Sequence, residues 1–264
     1  HTIRSLDAHI YHTAVPSNGD RLVTHKAMGC SFSLTAVKPH GARSVAECAA
    51  LGHSLNELSK ACALSPGDID RCSGPDARSP LMVAATCGHV GACQVLLQYG
   101  ANYKGTDAQG QGVLHCALLF MDGHAASFNT SPDEGSQPEN QPANAPVTIP
   151  QSSLLAMLAM FIKAGAPLDT HREQDGFTPL HLASIGGCAA AAKILLSAQA
   201  FVNATDHKGS TPLHHACRGG YADVVQVLCE AGAKVSSINS QAQDPGDCAA
   251  GNAAVLKILY EWRE

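Results

Sequence analysis

The sequence predicts an all-α repeat solenoid, and three observations lead to that fold class. A short motif recurs at intervals of 33 residues, or twice that number, along the 264-residue chain. Hydrophobic residues make up 45% of the chain and aromatic residues only 5%, so the core depends mainly on Leu, Ala, Val and Ile. Paired Gly and Ala residues close several copies of the repeat. Together these features indicate stacked copies of one small helical unit.

The motif is Thr-Pro-Leu-His at residues 178–181 and again at 211–214. A related Ser-Pro-Leu-Met occurs at 79–82, and Val-Leu-His occurs at 113–115, which leaves a doubled interval of 66 residues before the next copy. The register therefore continues through the chain with one insertion. Each copy is followed by an alanine two positions later, at Ala84, Ala117, Ala183 and Ala216.

Local physical chemistry explains why such a motif begins a helix. A Thr or Ser before Pro accepts hydrogen bonds from the free N–H groups of the first turn, and Pro at that position sacrifices no hydrogen bond. The small alanines let neighbouring helices approach closely, and a larger residue would overpack the contact. A glycine after a helix supplies the positive φ that ends it. We therefore predict that a helix begins at each copy of the motif.

This pattern resembles the ankyrin repeat, whose unit is a β-turn or hairpin followed by two antiparallel helices. Gly88 and Gly219 lie where that family turns between its helices, and Gly100, Gly165 and Gly232 follow the second helix. The resemblance implies about five units and a degenerate C-terminal cap that continues to residue 264. The expected bounds of the units are roughly 43–75, 76–107, 108–173, 174–206 and 207–239.

Two segments lie outside the repeat register. Residues 1–42 form a predicted N-terminal extension, partly extended, which packs across the first helix pair or reaches onto another protein. Residues 43–264 form the repeat domain, and a Pro-rich, acidic insertion at about 121–153 separates the two helices of the third unit. The insertion is either a tolerated surface loop, because lengthening a loop costs little, or a partner-binding arm.

Composition and motifs exclude several classes of function. The formal net charge is -5 and the Lys and Arg residues form no basic cluster, so we predict that the chain does not bind nucleic acid. The longest apolar run, 154–162, is far shorter than the roughly 20 residues of a spanning helix, so no direct membrane insertion is expected. The chain has no phosphate-loop, nucleophile-elbow or zinc-protease motif. We therefore predict no enzyme activity, no cofactor and no metal.

Histidines and cysteines have structural interpretations. The resemblance implies that His115, His181 and His214 each form a hydrogen bond between neighbouring units, whereas we expect His207 and His215 to be exposed. The chain has 11 cysteines, an odd number, which we interpret as free thiols in a reducing compartment. We therefore expect an intracellular protein, with the cytoplasm favoured, or an organellar one if a targeting peptide has been removed.

The resemblance implies a non-enzymatic protein–protein interaction module. Such a module acts as an adaptor or scaffold, or as a subunit of a larger assembly, and binds another protein through its concave face and hairpin tips. The alternative is a regulatory ankyrin fragment of a longer multidomain protein, an enzyme or a channel, whose catalytic part is absent from this sequence. His1 in place of Met is consistent with that alternative.

The resemblance also implies which residues contact a partner. The family's variable positions lie beside the hairpin glycine and before the turn between the helices, and we expect them to be exposed. In this chain they are Asp76, Arg78, Gln109, Gln111, Leu119, Phe120, Asp175, Phe177, Ile185, His207, Lys208, Ser210 and Arg218.

Four of these expected contact residues are apolar. Apolar residues at exposed positions lower solubility unless they meet another surface. Either the insertion covers them, or they form the anchor of an interface with a charged rim. The apolar residues are Leu119, Phe120, Phe177 and Ile185, and the charged rim is Arg78, Lys208 and Arg218.

Overall fold

The computed structural model describes residues 44–52, 54–119 and 151–263. Within these ranges the chain forms twelve α-helices and no β-strand, with one isolated antiparallel bridge between Ser73 and Arg78. The helices are α1 Val45–Leu51, α2 Leu55–Leu64, α3 Pro80–Thr86, α4 Val90–Gln98, α5 Val113–Leu118, α6 Gln151–Ala164, α7 Pro179–Ile185, α8 Ala189–Ser197, α9 Pro212–Gly219, α10 Ala222–Glu230, α11 Pro245–Cys248 and α12 Ala253–Glu261.

The helices form six pairs that stack in two layers. The first helices of the pairs, α1, α3, α5, α7, α9 and α11, each contact the next in that order, and we call them the first-helix layer. The second helices, α2, α4, α6, α8, α10 and α12, contact one another in the same way and form the second-helix layer. This architecture confirms the predicted all-α repeat solenoid.

The predicted helix starts are confirmed by their caps. The Ser79 hydroxyl accepts the N–H of Met82 at 3.4 Å, and α3 begins at the proline that follows Ser79. The Thr178 hydroxyl takes the same part at the start of α7, where it accepts the N–H of His181 at 3.5 Å. Because the cap and the proline are local signals, the sequence predicts these boundaries well.

The alanines of the motif lie where the helix pairs stack. Ala84, Ala117, Ala183 and Ala216 are all buried, with 0–1% of their surface exposed. They belong to helices of the first-helix layer, which pack on their neighbours on both sides. The Cβ of alanine therefore sets the close spacing that the sequence analysis predicts. The larger core side chains, of which Phe161 is the bulkiest fully buried example, fill the space between the layers.

The third helix pair has a long separation between its two helices. Helix α5 ends at Leu118 and α6 begins at Gln151, so residues 151–153, which the sequence analysis assigned to the insertion, are helical. The rest of the predicted insertion, the extension at 1–42 and Phe120 lie outside the described residues.

Candidate interaction surface

Three of the five hairpins between successive helix pairs are each folded around one polar side chain. The Asp107 carboxylate accepts the N–H groups of Gln109 at 3.0 Å and Gln111 at 2.8 Å. Asp206 and Asn239 accept the N–H groups two and four residues ahead in the same way, at 2.8 to 3.0 Å. A side-chain oxygen thus satisfies two backbone donors at once and holds the loop in one shape.

Backbone hydrogen bonds join the tip of each hairpin to the next. Four consecutive connections have N–H to carbonyl distances of 2.8 to 2.9 Å, and none needs a particular side chain. They are Ala108 to Asp76, Glu173 to Gln109, His207 to Asp175, and Ser240 to Lys208, and we call these eight residues the tip row. The tip row is therefore a continuous edge with a fixed register across five units.

The third hairpin, at residues 172–177, departs from this pattern by one residue. Here the N–H of Arg172 pairs with the carbonyl of Phe177, a span one residue longer than that from Asp107 to Gln111. The Arg172 guanidinium donates from Nε to both carboxylate oxygens of Asp175, at 3.0 and 3.1 Å. Burial raises the pKa of Asp175, but the hydrogen bonds from Arg172 and from the Phe177 N–H outweigh it and hold that pKa below its usual range.

Three buried histidines bridge neighbouring units. Nε2 of His115 lies 2.9 Å from the carbonyl oxygen of Phe177, and Nε2 of His181 lies 3.1 Å from that of Ser210. His214 repeats the contact at 3.2 Å with the next hairpin. Because Nδ1 of each ring accepts a backbone N–H, Nε2 carries the proton and donates it to the carbonyl. The expectation of hydrogen bonds between units is confirmed for all three.

Burial keeps these histidines neutral. It lowers the pKa of His115 and of His181 to about 4 and lowers that of His214 as well. A cationic ring would lose its hydration and would also be unable to accept a backbone N–H at Nδ1. The three rings are therefore structural links between units.

Comparison with protein families agrees with this geometry. A model for three copies of ankyrin repeats matches residues 151–239, and a single ankyrin repeat matches residues 76–107. The chain contains ankyrin repeats. Domains of this kind are generally protein-interaction modules and are generally non-catalytic. No curated protein matches the sequence.

Three of the ankyrin positions expected to face a partner are buried instead. Arg78, Gln111 and Ser210 expose 7%, 5% and 2% of their surface, so the prediction of exposed positions is wrong for them. Arg78 Nε donates to Asp107 at 3.1 Å, and both side chains are shielded from solvent. The side-chain amide of Asn239 donates to the Ser210 hydroxyl at 3.4 Å. Both contacts come from the neighbouring hairpin, which closes over Arg78 and Ser210.

The prediction that His215 is exposed is also wrong. Its Nε2 lies 2.9 Å from the Asp206 carboxylate, and only 10% of the side chain is exposed. Burial lowers the pKa of His215 although Asp206 opposes the shift. His207 is exposed, as expected. His215 differs from His207 in exposure because Asp206, at the base of the hairpin, turns its second carboxylate oxygen towards α9, on which His215 lies.

Phe177 is half-buried by polar neighbours. Its ring stacks on His181 at 5.7 Å between centroids and meets the edge of His215 at 5.1 Å. The Arg172 guanidinium lies 5.3 Å from the ring centroid. These contacts hold the ring beside the tip row with part of its surface accessible.

The other predicted contact residues fall into two groups. Asp76, Gln109, Asp175, His207 and Lys208 all lie in the tip row, where His207 and Lys208 are exposed and the other three are half-buried. A second group lies at the far ends of the first helices, at the same register in successive units, and we call it the helix-end row. It consists of Leu119 and Ile185, which are half-buried, and Arg218, which is exposed and donates to the sulfur of Cys248.

The chemistry available elsewhere is limited. Among residues 44–52, 54–119 and 151–263, no group of three or more His, Cys, Asp and Glu side chains could hold a metal ion. Over the same ranges, no helix is long and apolar enough to cross a membrane. Burial raises the pKa of the Cys93 and Cys217 thiols to about 12, so neither forms a thiolate readily at neutral pH.

Proposed function

We propose that the chain is a non-enzymatic protein-binding module, acting as an adaptor or scaffold or as a subunit of a larger assembly. Its partner is another protein, which it contacts through the tip row and the helix-end row. The observation that carries this proposal is the chain of four backbone hydrogen bonds that fixes successive hairpin tips relative to one another. A surface that is already ordered loses little conformational entropy when it binds. The free energy of its contacts therefore increases affinity and does not have to offset the cost of ordering the surface.

The charge along the tip row suggests how a partner is selected. Acidic side chains lie at the first and third of the tips, Asp76 at the first and Glu173 and Asp175 at the third, with the neutral Ala108 and Gln109 between them. The next tip carries His207 and Lys208, which are exposed. A partner segment with basic residues followed by acidic ones fits this order. Complementary charge of this kind accelerates association and rejects wrong partners.

The free thiols support an intracellular location, with the cytoplasm favoured. Cys93, Cys188, Cys217 and Cys229 are buried free cysteines. Buried thiols of this kind suit a reducing compartment, since an oxidising one favours disulfides. The mixed charge of the tip row likewise supports a protein partner in preference to nucleic acid, which requires clustered cations.

Charge reversal at the tips tests the proposal. The protein is purified gently from its native source, and a co-purifying partner is identified by size exclusion and mass spectrometry. The wild type and a Glu173→Lys, Lys208→Glu double variant are then compared for recovery of that partner. We expect the wild type to recover it in stoichiometric amount and the tip variant to lose it, because the variant keeps the net charge but exchanges an acidic and a basic charge between two tips.

A matched control is available on the second-helix layer. The Lys193→Glu, Glu230→Lys double variant also reverses two exposed charges without changing the net charge. It lies on α8 and α10, away from the tip row. Recovery of the partner by the tip variant, together with its loss from this control, would place the binding surface on the second-helix layer and contradict the proposal.

A further inference from the structure

Helix α12 leaves an apolar stripe exposed. Val255 and Leu259 face the rest of the protein and are 0% and 3% exposed, and α12 contacts α10 and α11. On an adjacent side, one helical turn apart, Leu256 is 39% exposed and Tyr260 is 73% exposed. Large apolar side chains in one contiguous stripe typically mark a surface that another molecule covers.

The same positions are buried in the preceding unit. Aligning α10 with α12 from their first residues places Val225 opposite Leu256 and Cys229 opposite Tyr260. Val225 is 0% exposed and Cys229 is 2% exposed, because α12 packs on that side of α10. Leu256 and Tyr260 therefore occupy the positions that elsewhere contact the next helix of the second-helix layer.

Helix α2 lies at the other end of the described stack. Its outward side, the one that no neighbouring helix of the second-helix layer covers, has polar residues. When α2 and α4 are aligned from their N-caps, Glu57 and Lys60 of α2 correspond to Ala92 and Val95 of α4. Ala92 is 1% exposed and packs against the core, whereas Glu57 and Lys60 are both exposed. A repeat whose outward side faces water normally has polar residues there. Helix α2 follows that rule and α12 does not.

Charges beside the stripe indicate what covers it. Lys257 and Glu261 are both exposed and lie one helical turn apart next to Leu256 and Tyr260. In an antiparallel pair of α12 helices with a twofold axis near Ile258, Leu256 of each copy meets Tyr260 of the other. The same axis brings Lys257 of each copy within reach of Glu261 of the other. The stripe and its charges are therefore complementary to themselves, as an isologous contact requires.

We propose that this surface, the α12 face formed by Leu256, Lys257, Tyr260 and Glu261, binds a second copy of the chain in an antiparallel, twofold-symmetric contact. This dimer does not depend on the proposed function, because the α12 face is separate from the tip row. A nine-residue helix is about 14 Å long, so the contact is smaller than the roughly 800 Å² per partner of a standard interface. The dimer is therefore weak and depends on concentration.

Sedimentation equilibrium of the purified protein, from about 10 μM to about 1 mM, measures this association in the range expected for a small interface. We expect the wild type to fit a monomer–dimer equilibrium. Tyr260→Lys should weaken the dimer by about tenfold or more, because it places an ammonium group in the centre of the contact. Leu64→Lys is the matched control, since Leu64 is 76% exposed on α2, and it should leave the equilibrium unchanged.

A charge swap tests the twofold axis directly. Lys257→Glu alone should weaken the dimer, because it faces Glu261 of the other copy with a like charge, and adding Glu261→Lys should restore it. A wild type that stays monomeric throughout the concentration range would overturn the proposal. A Lys257→Glu, Glu261→Lys double variant that does not regain dimer formation would also overturn it. The same holds if Leu64→Lys weakens the dimer as much as Tyr260→Lys does. Circular dichroism confirms that each variant is folded.

Discussion

Acidification should destabilise this solenoid through two buried histidines, His115 and His181. Burial lowers the pKa of both to about 4, whereas a histidine in an unfolded chain has a pKa of 6.5. Below pH 6.5 the unfolded chain therefore binds protons that the folded chain does not. The stability that the neutral rings provide is complete above about pH 6.5 and is lost as the pH falls towards 4.

The size of the effect follows from these pKa values. Between about pH 7.5 and about pH 4.5, proton binding favours the unfolded state by about 2.5 kcal/mol for each of the two histidines. The two together lower the free energy of unfolding by about 5 kcal/mol, a large part of the 5 to 15 kcal/mol that is typical of a folded domain. His214 and His215, whose pKa is also lowered by burial, act in the same direction.

Urea unfolding followed by circular dichroism measures this loss at a series of pH values and constant ionic strength. His181→Gln should reduce the dependence on pH by about 2.5 kcal/mol over that range, because glutamine does not titrate. His207→Gln is the control, since His207 is exposed, and it should leave the dependence unchanged. A free energy of unfolding that stays constant down to about pH 4.5, or a His181→Gln variant with the full wild-type dependence, would refute the reasoning.

Three further predictions concern packing, ion pairing and thiol reactivity. Ala183→Leu should lower the free energy of unfolding by about 1–3 kcal/mol in urea, because it overpacks the helix contact. Ala63→Leu, at an exposed position, should change it by less than about 0.5 kcal/mol. Equal effects of the two variants would contradict close packing at Ala183. Asp107→Ala removes a carboxylate that pairs with a buried guanidinium and accepts two hairpin N–H groups, and should cost about 3–5 kcal/mol in the same assay; a cost below about 1 kcal/mol would show that the pair contributes little. Iodoacetamide near neutral pH should label the exposed Cys72 and spare Cys93, whose pKa burial raises to about 12, as mass spectrometry of tryptic peptides would show; rapid labelling of Cys93 in the folded protein would contradict the burial argument.

The repeat architecture could be predicted because its signals are local. A cap residue followed by proline favours a helix start, so the starts of α3, α7 and α9 at Pro80, Pro179 and Pro212 follow from the motif. The bridging histidines could be predicted because they belong to the same motif and recur in the same register. Such features need no knowledge of what lies next to them in space.

The details of the surface could not be predicted because they depend on contacts between units. Arg78 is buried by pairing with Asp107, which lies 29 positions further along the chain. The longer third hairpin has Arg172 in place of the usual aspartate, and Asp175 takes over the role of that aspartate, a change that counting in steps of 33 cannot detect. Residue spacing therefore located the hairpins along the chain and misjudged how the neighbouring hairpin covers some of their residues.

Hydrogen–deuterium exchange on the native complex, compared with the protein alone, tests the central claim most directly. We expect binding to slow the exchange of backbone amides in the hairpins at residues 107–111, 172–178 and 206–210, which lie in or beside the tip row. Amides of α8 and α10 in the second-helix layer should exchange at unchanged rates. Slower exchange in α8 and α10, with no change in the hairpins, would contradict a partner-binding surface built on the tip row.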